Sequence, residues 1–225
     1  MTEFKKDRRR LDGAWVAYLD AYGFSAAVER KTEHIVEKFF SELYEELDAI
    51  VTTLDAAYQF SDSIFLIQKP FPDPQTKLQE LYSAVQNLQK IALQYSLAFR
   101  GAVAFGTVTI GPFGCFGQPV VDAARLEEHL AVPLVVLPER FIEQANNHLF
   151  SAYSPGARVE LTTQLVKTKT GSILANVIPP PLRLFANIAH KKIRHSLVHG
   201  PDHIAASWQS AIDALNLTRV DDTGQ

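Results

Sequence analysis

Gly101 to Val121 is a run of 21 residues without a formal charge, long enough to cross a bilayer, yet it holds five glycines and two prolines. Helix breakers at that density read as buried strands joined by turns, so the chain is expected to build on a sheet rather than to span a membrane. Leu97 to Phe105 and Thr107 to Ile110 are predicted as two strands with a turn at Gly106. Gly111, Gly114 and Gly117 then mark a tight, irregular loop. The rest of the chain is ordinary globular material: 225 residues, 47% hydrophobic and 21% charged, enough for one large domain or a domain with a helical appendage. A net charge of −3 provides no basic footprint for DNA or RNA. One cysteine, Cys115, excludes a disulfide framework. The basic start MTEFKKDRRRLDG is followed by no apolar h-region of a signal peptide, so a cytoplasmic protein without membrane contact is expected.

Hydrophobic spacing orders the remaining elements. Trp15 to Asp20 reads as a first strand, with Ser25 as a helix N-cap behind it. Val28, Ile35, Phe39, Leu43 and Leu47 recur at helical spacing. Ile50 to Phe60 and Ile64 to Gln68 are β-rich runs around Ser61-Asp62-Ser63, and Leu78 to Leu93 is a second amphipathic helix. Val120 to Leu130 reads as helix, Val132 to Leu137 as strand and Glu139 to His148 as helix. Arg158 to Lys167 and Ser172 to Ile178 are read as a late hairpin. The β-α-β-β-α-β order predicts an α+β sandwich of ferredoxin-like type, mainly antiparallel, over residues 12–181. Residues 182–225 form a helical extension, interrupted at Gly200-Pro201, packed on the domain or on a dimer partner.

Two acids stand out. Asp20 closes the first apolar run, and Asp62 lies in the turn between two β-runs. On neighbouring strands both carboxylates would share one sheet edge, and paired hard oxygen ligands suit magnesium or manganese that also holds phosphates. Aspartate is equally an ordinary turn residue, because its side chain caps nearby main-chain groups. The acids alone leave both readings open.

Their surroundings carry a resemblance. Asp20-Ala21-Tyr22-Gly23-Phe24-Ser25 resembles the D-x-x-G-F-S/T motif of the class III nucleotidyl cyclase domain. Ser61-Asp62-Ser63 is similar to that family's G-D turn, with serine for glycine. Arg100 to Gly106 (RGAVAFG) resembles its R-x-G-h-h-x-G strand, and Gly117 to Glu127 (GQPVVDAARLE) its G-x-x-V-N-x-A-x-R-L-E motif. The four arrive in family order within residues 12–137. The resemblance implies a class III cyclase fold and two divalent cations, Mn2+ or Mg2+, held by Asp20, Asp62 and the Ala21 carbonyl. It further implies a phosphate-binding turn at Gly23, Phe24 and Ser25, and a catalytic Arg125. Family members are head-to-tail homodimers with sites at the interface, so Arg125 would act on the partner's metals.

Departures from the pattern bear on substrate. Tyr58 and Gly114 occupy the places where purine cyclases carry a base-reading lysine and an aspartate or threonine. A tyrosine is also an ordinary strand residue. Val121, with Asp122 beside it, replaces the family asparagine. Arg100, inside an apolar strand, is either a contact to base or phosphates or half of a buried ion pair. Lys167 and Lys169, in V-K-T-K-T-G, faintly resemble the family's phosphate-binding lysine segment, or are plain solvated lysines. The chain thus looks like the stand-alone pyrimidine cyclases of bacterial anti-phage (Pycsar) systems. That likeness implies conversion of UTP to cyclic UMP, a messenger read by a separate effector. Alternatives are a cytidylate cyclase using CTP, a conventional adenylate cyclase, and an inactive nucleotide-binding or dimerisation module. In the tail, His195 and His199 have a metal-site spacing, and Arg194 with His199 a ribonuclease-like one; packing is the plainer role for His190, His195, His199 and His203.

Overall fold

Two strands of 14 residues, β1 (Arg9–Tyr22) and β4 (Ala98–Gly111), pair antiparallel along most of their lengths and form the spine of the molecule. The computed structural model describes residues 8–29, 33–152, 158–199 and 202–215. Between and after the spine strands come α1 (Phe24–Glu29), α2 (Glu33–Ile50), β2 (Ala56–Phe60), β3 (Ser63–Gln68), α3 (Pro74–Gln94), β5 (Gly114–Phe116), α4 (Gln118–His129) and β6 (Val135–Pro138). The chain continues through α5 (Glu139–Ala152), β7 (Gln164–Thr168), β8 (Gly171–Ile178), α6 (Leu182–His199) and α7 (Asp202–Ala214). The sheet order is β2-β3-β1-β4-β6-β8-β7, with β5 folded back on β4. Among the described residues only the β4–β6 pair is parallel. The β2-β3-β1-β4 half has the strand order of a split βαβ unit, as the α+β reading expected.

Alternation along β1 assigns the two faces. Trp15, Ala17 and Leu19 pack into the core with Phe39, Leu43 and Leu47 of α2 and Leu78, Leu81, Val85 and Leu88 of α3. Tyr18, Asp20 and Tyr22 point to the opposite face. There α4 crosses β1 and β4, burying Ala123 and Glu127. Beside it, Phe185, Ile188, Trp208 and Ile212 of α6 and α7 join Ala98, Ala102, Val136 and Val177 in a second core cluster.

Several boundaries differ from the sequence reading for local reasons. Gly106 is not a turn: β4 runs straight through it, opposite Ala14 where β1 carries a bulge. Its glycine is explained by a φ of +158°, which L side chains rarely adopt, while Pro119 of α4 packs over it, its Cδ 3.4 Å from where a Cβ would stand. The glycine-rich loop closes as a hairpin, Gly111 opposite Gly114. Ile50 ends α2 instead of opening a strand, since it completes the buried stripe of Phe39, Leu43 and Leu47. Thr52 and Thr53 turn their hydroxyls back onto the Ala49 and Ile50 carbonyls, at 2.7 and 3.0 Å. Strand β7 starts at Gln164 rather than Arg158. The Asn146 side chain binds both main-chain groups of Val159 (2.7 and 3.1 Å), so that segment needs no ladder.

Gly101 marks the tightest approach of β4 to β1. A Cβ there would fall 2.2 Å from the Tyr18 carbonyl oxygen and 2.9 Å from Leu19 Cδ2. Gly101→Ala is therefore expected to destabilise the protein by about 3 kcal/mol, because the clash is with backbone that cannot rotate away. A denaturant melt measures it.

Candidate active site

The end of β1 is fastened to the β2–β3 turn by one main-chain bond, from the Ala21 N–H to the Asp62 carbonyl at 3.2 Å. That bond brings Asp62 to the edge where Asp20 stands. Asp20 lies opposite Ser63 in one ladder and opposite Arg100 in the other. Ser61 holds the turn in the left-handed region (φ +57°), where glycine is freer. Burial, and then the like charge of Asp62, raise the Asp20 carboxyl above its ordinary value; Ser63 and Arg100 pull it back in part. Two carboxylates that repel each other in a half-buried setting suit a divalent cation, whose charge would offset both penalties. Among the described residues no group of three or more side chains forms a metal site. A cation on the pair would therefore complete its shell from main chain, water or substrate.

Arg100 is engaged by α4. Its Nε and Nη2 both engage Glu127 Oε1 of α4, with side chains 17% and 6% exposed. The guanidinium also lies 5.3 Å from the centroid of the Tyr22 ring, and Tyr22 meets Trp208 of α7 edge-on at 6.4 Å. Of the two readings of Arg100, the structure shows the buried ion pair. Burial raises the Glu127 carboxyl, and Arg100 opposes that rise.

Arg125 is exposed on α4, two residues from each of the buried Ala123 and Glu127, which puts it on the helix's outer side. Val121 is exposed near the start of the same helix, and Asp122 accepts from Gln118 Nε2 at 2.9 Å. Lys169 is not simply solvated. Its Nζ binds the Glu128 carbonyl and its N–H donates to the His129 carbonyl at 2.8 Å, fastening the β7–β8 turn to the last turn of α4. Lys167, two residues earlier, is exposed.

Tyr58 and Gly114 come together, although 56 positions separate them. The Tyr58 hydroxyl donates to the Gly111 carbonyl at 2.6 Å, and Phe60 Cζ lies 3.4 Å from where a Gly114 Cβ would stand. The phenol proton is thus spent on the β4–β5 hairpin. At the other turn, Gly23 has φ +92° and α1 begins at Phe24, so Ser25 falls inside the helix rather than capping it. The Phe24 ring meets Phe40 edge-on at 5.6 Å and is used in packing. The side chain of His199, on which both tail spacings depend, and that of His203 lie outside the described residues.

Three participants were not singled out from the sequence: Tyr18, Ser63 and Glu127. Tyr18 has a usable signal, since a residue two before Asp20 in a strand shares its face. Glu127 has none stronger than its place in the R-L-E motif.

No family model matches this chain, and no curated protein does. Solved structures match well. The catalytic core of a rhodopsin-guanylyl cyclase with converted specificity, in complex with ATPalphaS, superposes with a TM-score of 0.53 at 15% identity, over 77% of this chain and 99% of that one. The guanylate cyclase domain of RhGC from Catenaria anguillulae, in complex with GTP, gives 0.51 at 14%, over 76% and 98%. The adenylyl cyclase CyaB from P. aeruginosa gives 0.50 at 13%, over 78% and 98%. The chain has the fold of adenylyl and guanylyl cyclase catalytic domains. No helix among the described residues is long and apolar enough to cross a membrane.

Proposed function

We propose that this protein is a nucleotidyl cyclase that converts UTP to 3′,5′-cyclic UMP and pyrophosphate. The observation that supports it most is the meeting of Asp20 and Asp62 at one sheet edge on a cyclase fold. Asp20, Asp62 and the Ala21 carbonyl would hold two divalent cations, Mn2+ or Mg2+. When bound, these supply the positive charge that acidifies the ribose 3′-hydroxyl and neutralises the triphosphate. The 3′-oxygen then bonds to the α-phosphorus in line as the bond to pyrophosphate breaks, and the hydroxyl proton leaves to solvent. Gly23 with Phe24 and Ser25 at the start of α1, and Lys167, lie with the phosphates in this reading. Arg125, outward on its helix, supplies a forked donor to the transition state in a second copy of the chain, so the working unit is a homodimer with sites at its interface.

A pyrimidine preference is favoured by what surrounds Tyr58. Neither the lysine nor the carboxylate of a purine reader is present, and Phe60 narrows the space beside Gly114. With its proton on Gly111, the phenol oxygen is left to accept. Uracil N3–H and the cytosine amino group each offer a donor, which keeps CTP as the second substrate reading. A cytoplasmic role in anti-phage signalling, through a separate effector that reads the product, follows from the sequence resemblance.

Purified protein with Mn2+ and each of ATP, GTP, CTP and UTP, products resolved by mass spectrometry, tests the proposal. Cyclic UMP as the main product is expected. Cyclic AMP or cyclic GMP would overturn the reading of Tyr58 and Gly114, and no product from any nucleotide would overturn the enzyme.

A further inference from the structure

Asp20 is held by a chain of hydroxyls. Ser63 Oγ lies 3.1 Å from Asp20 Oδ1, and the Tyr18 hydroxyl lies 3.0 Å from Ser63 Oγ. An ionised carboxylate only accepts, and a serine has one proton to give. Ser63 therefore donates to Asp20, and the Tyr18 hydroxyl must donate to Ser63, so the chain runs from Tyr18 through Ser63 to Asp20. Both hydroxyl donors are fixed by the sheet. Ser63 is the cross-strand partner of Asp20, and Tyr18 is the partner of Phe65, whose ring centroid is 4.8 Å from its own. On the far side of Phe65 stands Tyr58, so an aromatic row across three strands supports the polar row of Ser63, Asp20 and Arg100 one step along.

We infer that Tyr18 and Ser63 are positioning residues for the Asp20 carboxylate: by pinning Oδ1 they fix its rotation, and so set how tightly the Asp20–Asp62 pair holds a divalent cation. The inference rests on the reading of that pair as metal ligands. Ordered hydrogen bonds to a ligating group commonly govern affinity about 10- to 100-fold without touching the metal.

The test is a titration with Mn2+ alone, without nucleotide, read by electron paramagnetic resonance of the free ion, with a thermal melt of every variant. Asp20→Asn serves as the control for the underlying reading. Ser63→Ala is expected to weaken Mn2+ about 10-fold or more, and Tyr18→Phe by several-fold with the ring packing kept. Ser63→Thr, which keeps a hydroxyl, restores affinity. Because Tyr18 acts only through Ser63, Tyr18→Phe added to Ser63→Ala changes nothing further. Unchanged affinity in Ser63→Ala and Tyr18→Phe, with binding lost in Asp20→Asn, overturns the positioning role alone, as does a lowered melting temperature with wild-type affinity. Additive losses overturn the chain from Tyr18 to Ser63. Wild-type protein that binds no Mn2+, or an Asp20→Asn variant that binds it normally, overturns the metal reading and the inference together.

Discussion

Asp20→Asn and Asp62→Ala, made separately, are expected to lower cyclic nucleotide formation by about 10³-fold or more while leaving the fold intact. The size follows from removing a group on which the charge stabilisation of the reacting phosphates depends. Preservation of the fold follows from the sign of the Asp20 shift. Its carboxyl is raised above the ordinary 3.8 by burial and by Asp62. The folded chain therefore holds that proton more tightly than the unfolded chain does. The associated stability is present below the ordinary value and is lost as pH rises through the raised one. At neutral pH the ionised side chain works against folding, and an uncharged Asn, whose oxygen still accepts from Ser63, is neutral or mildly stabilising. Mass spectrometry of product together with a thermal melt distinguishes this from structural damage. A variant that keeps turnover, or one that loses turnover only because it unfolds, contradicts the assignment.

Arg100→Met is expected to cost about 3–5 kcal/mol, because it strands the Glu127 carboxylate in a buried position. In a protein of this size that lowers the melting temperature by on the order of 10 °C. The double variant Arg100→Met/Glu127→Leu removes both charges and should recover most of the loss, whereas two independent surface contacts would simply add. A different pattern, an unchanged melt with a raised KM for nucleotide, would return Arg100 to the substrate. The distinction matters for Asp20 as well, since Arg100 is its cross-strand neighbour and the fixed positive charge that limits its rise.

How much of this was legible beforehand depended on the range of the interaction. Local signals sufficed for the body of α3, read from its leucine stripe as Leu78 to Leu93, although the helix starts earlier, at Pro74 with Asp73 as its cap. They sufficed too for the placing of Asp20 and Asp62, because a strand end and a two-residue turn are local features and their order matched a family pattern. They failed where partners are distant in sequence. Nothing near Tyr58 announces a hydrogen bond to Gly111, 53 residues on, and nothing near Arg100 announces Glu127. Gly106 misled for a related reason. A glycine that ends a strand and one that gives a continuing strand a positive φ look alike in the sequence. The run from Ile50 to Thr53 has β-branched residues that favour strand, but completion of a buried helical stripe outweighed that preference.

The last two helices bind the history of this chain to its sheet. Ala98 and Ala102 are small residues in the cluster that Phe185 and Trp208 fill, and Trp208 backs the tyrosine on which Arg100 rests. A segment so placed cannot be exchanged among relatives as a cassette. Larger residues on the sheet would have to arrive with smaller ones on α6 and α7, in the same lineage and at nearly the same time, so tail and sheet are expected to be inherited as one unit.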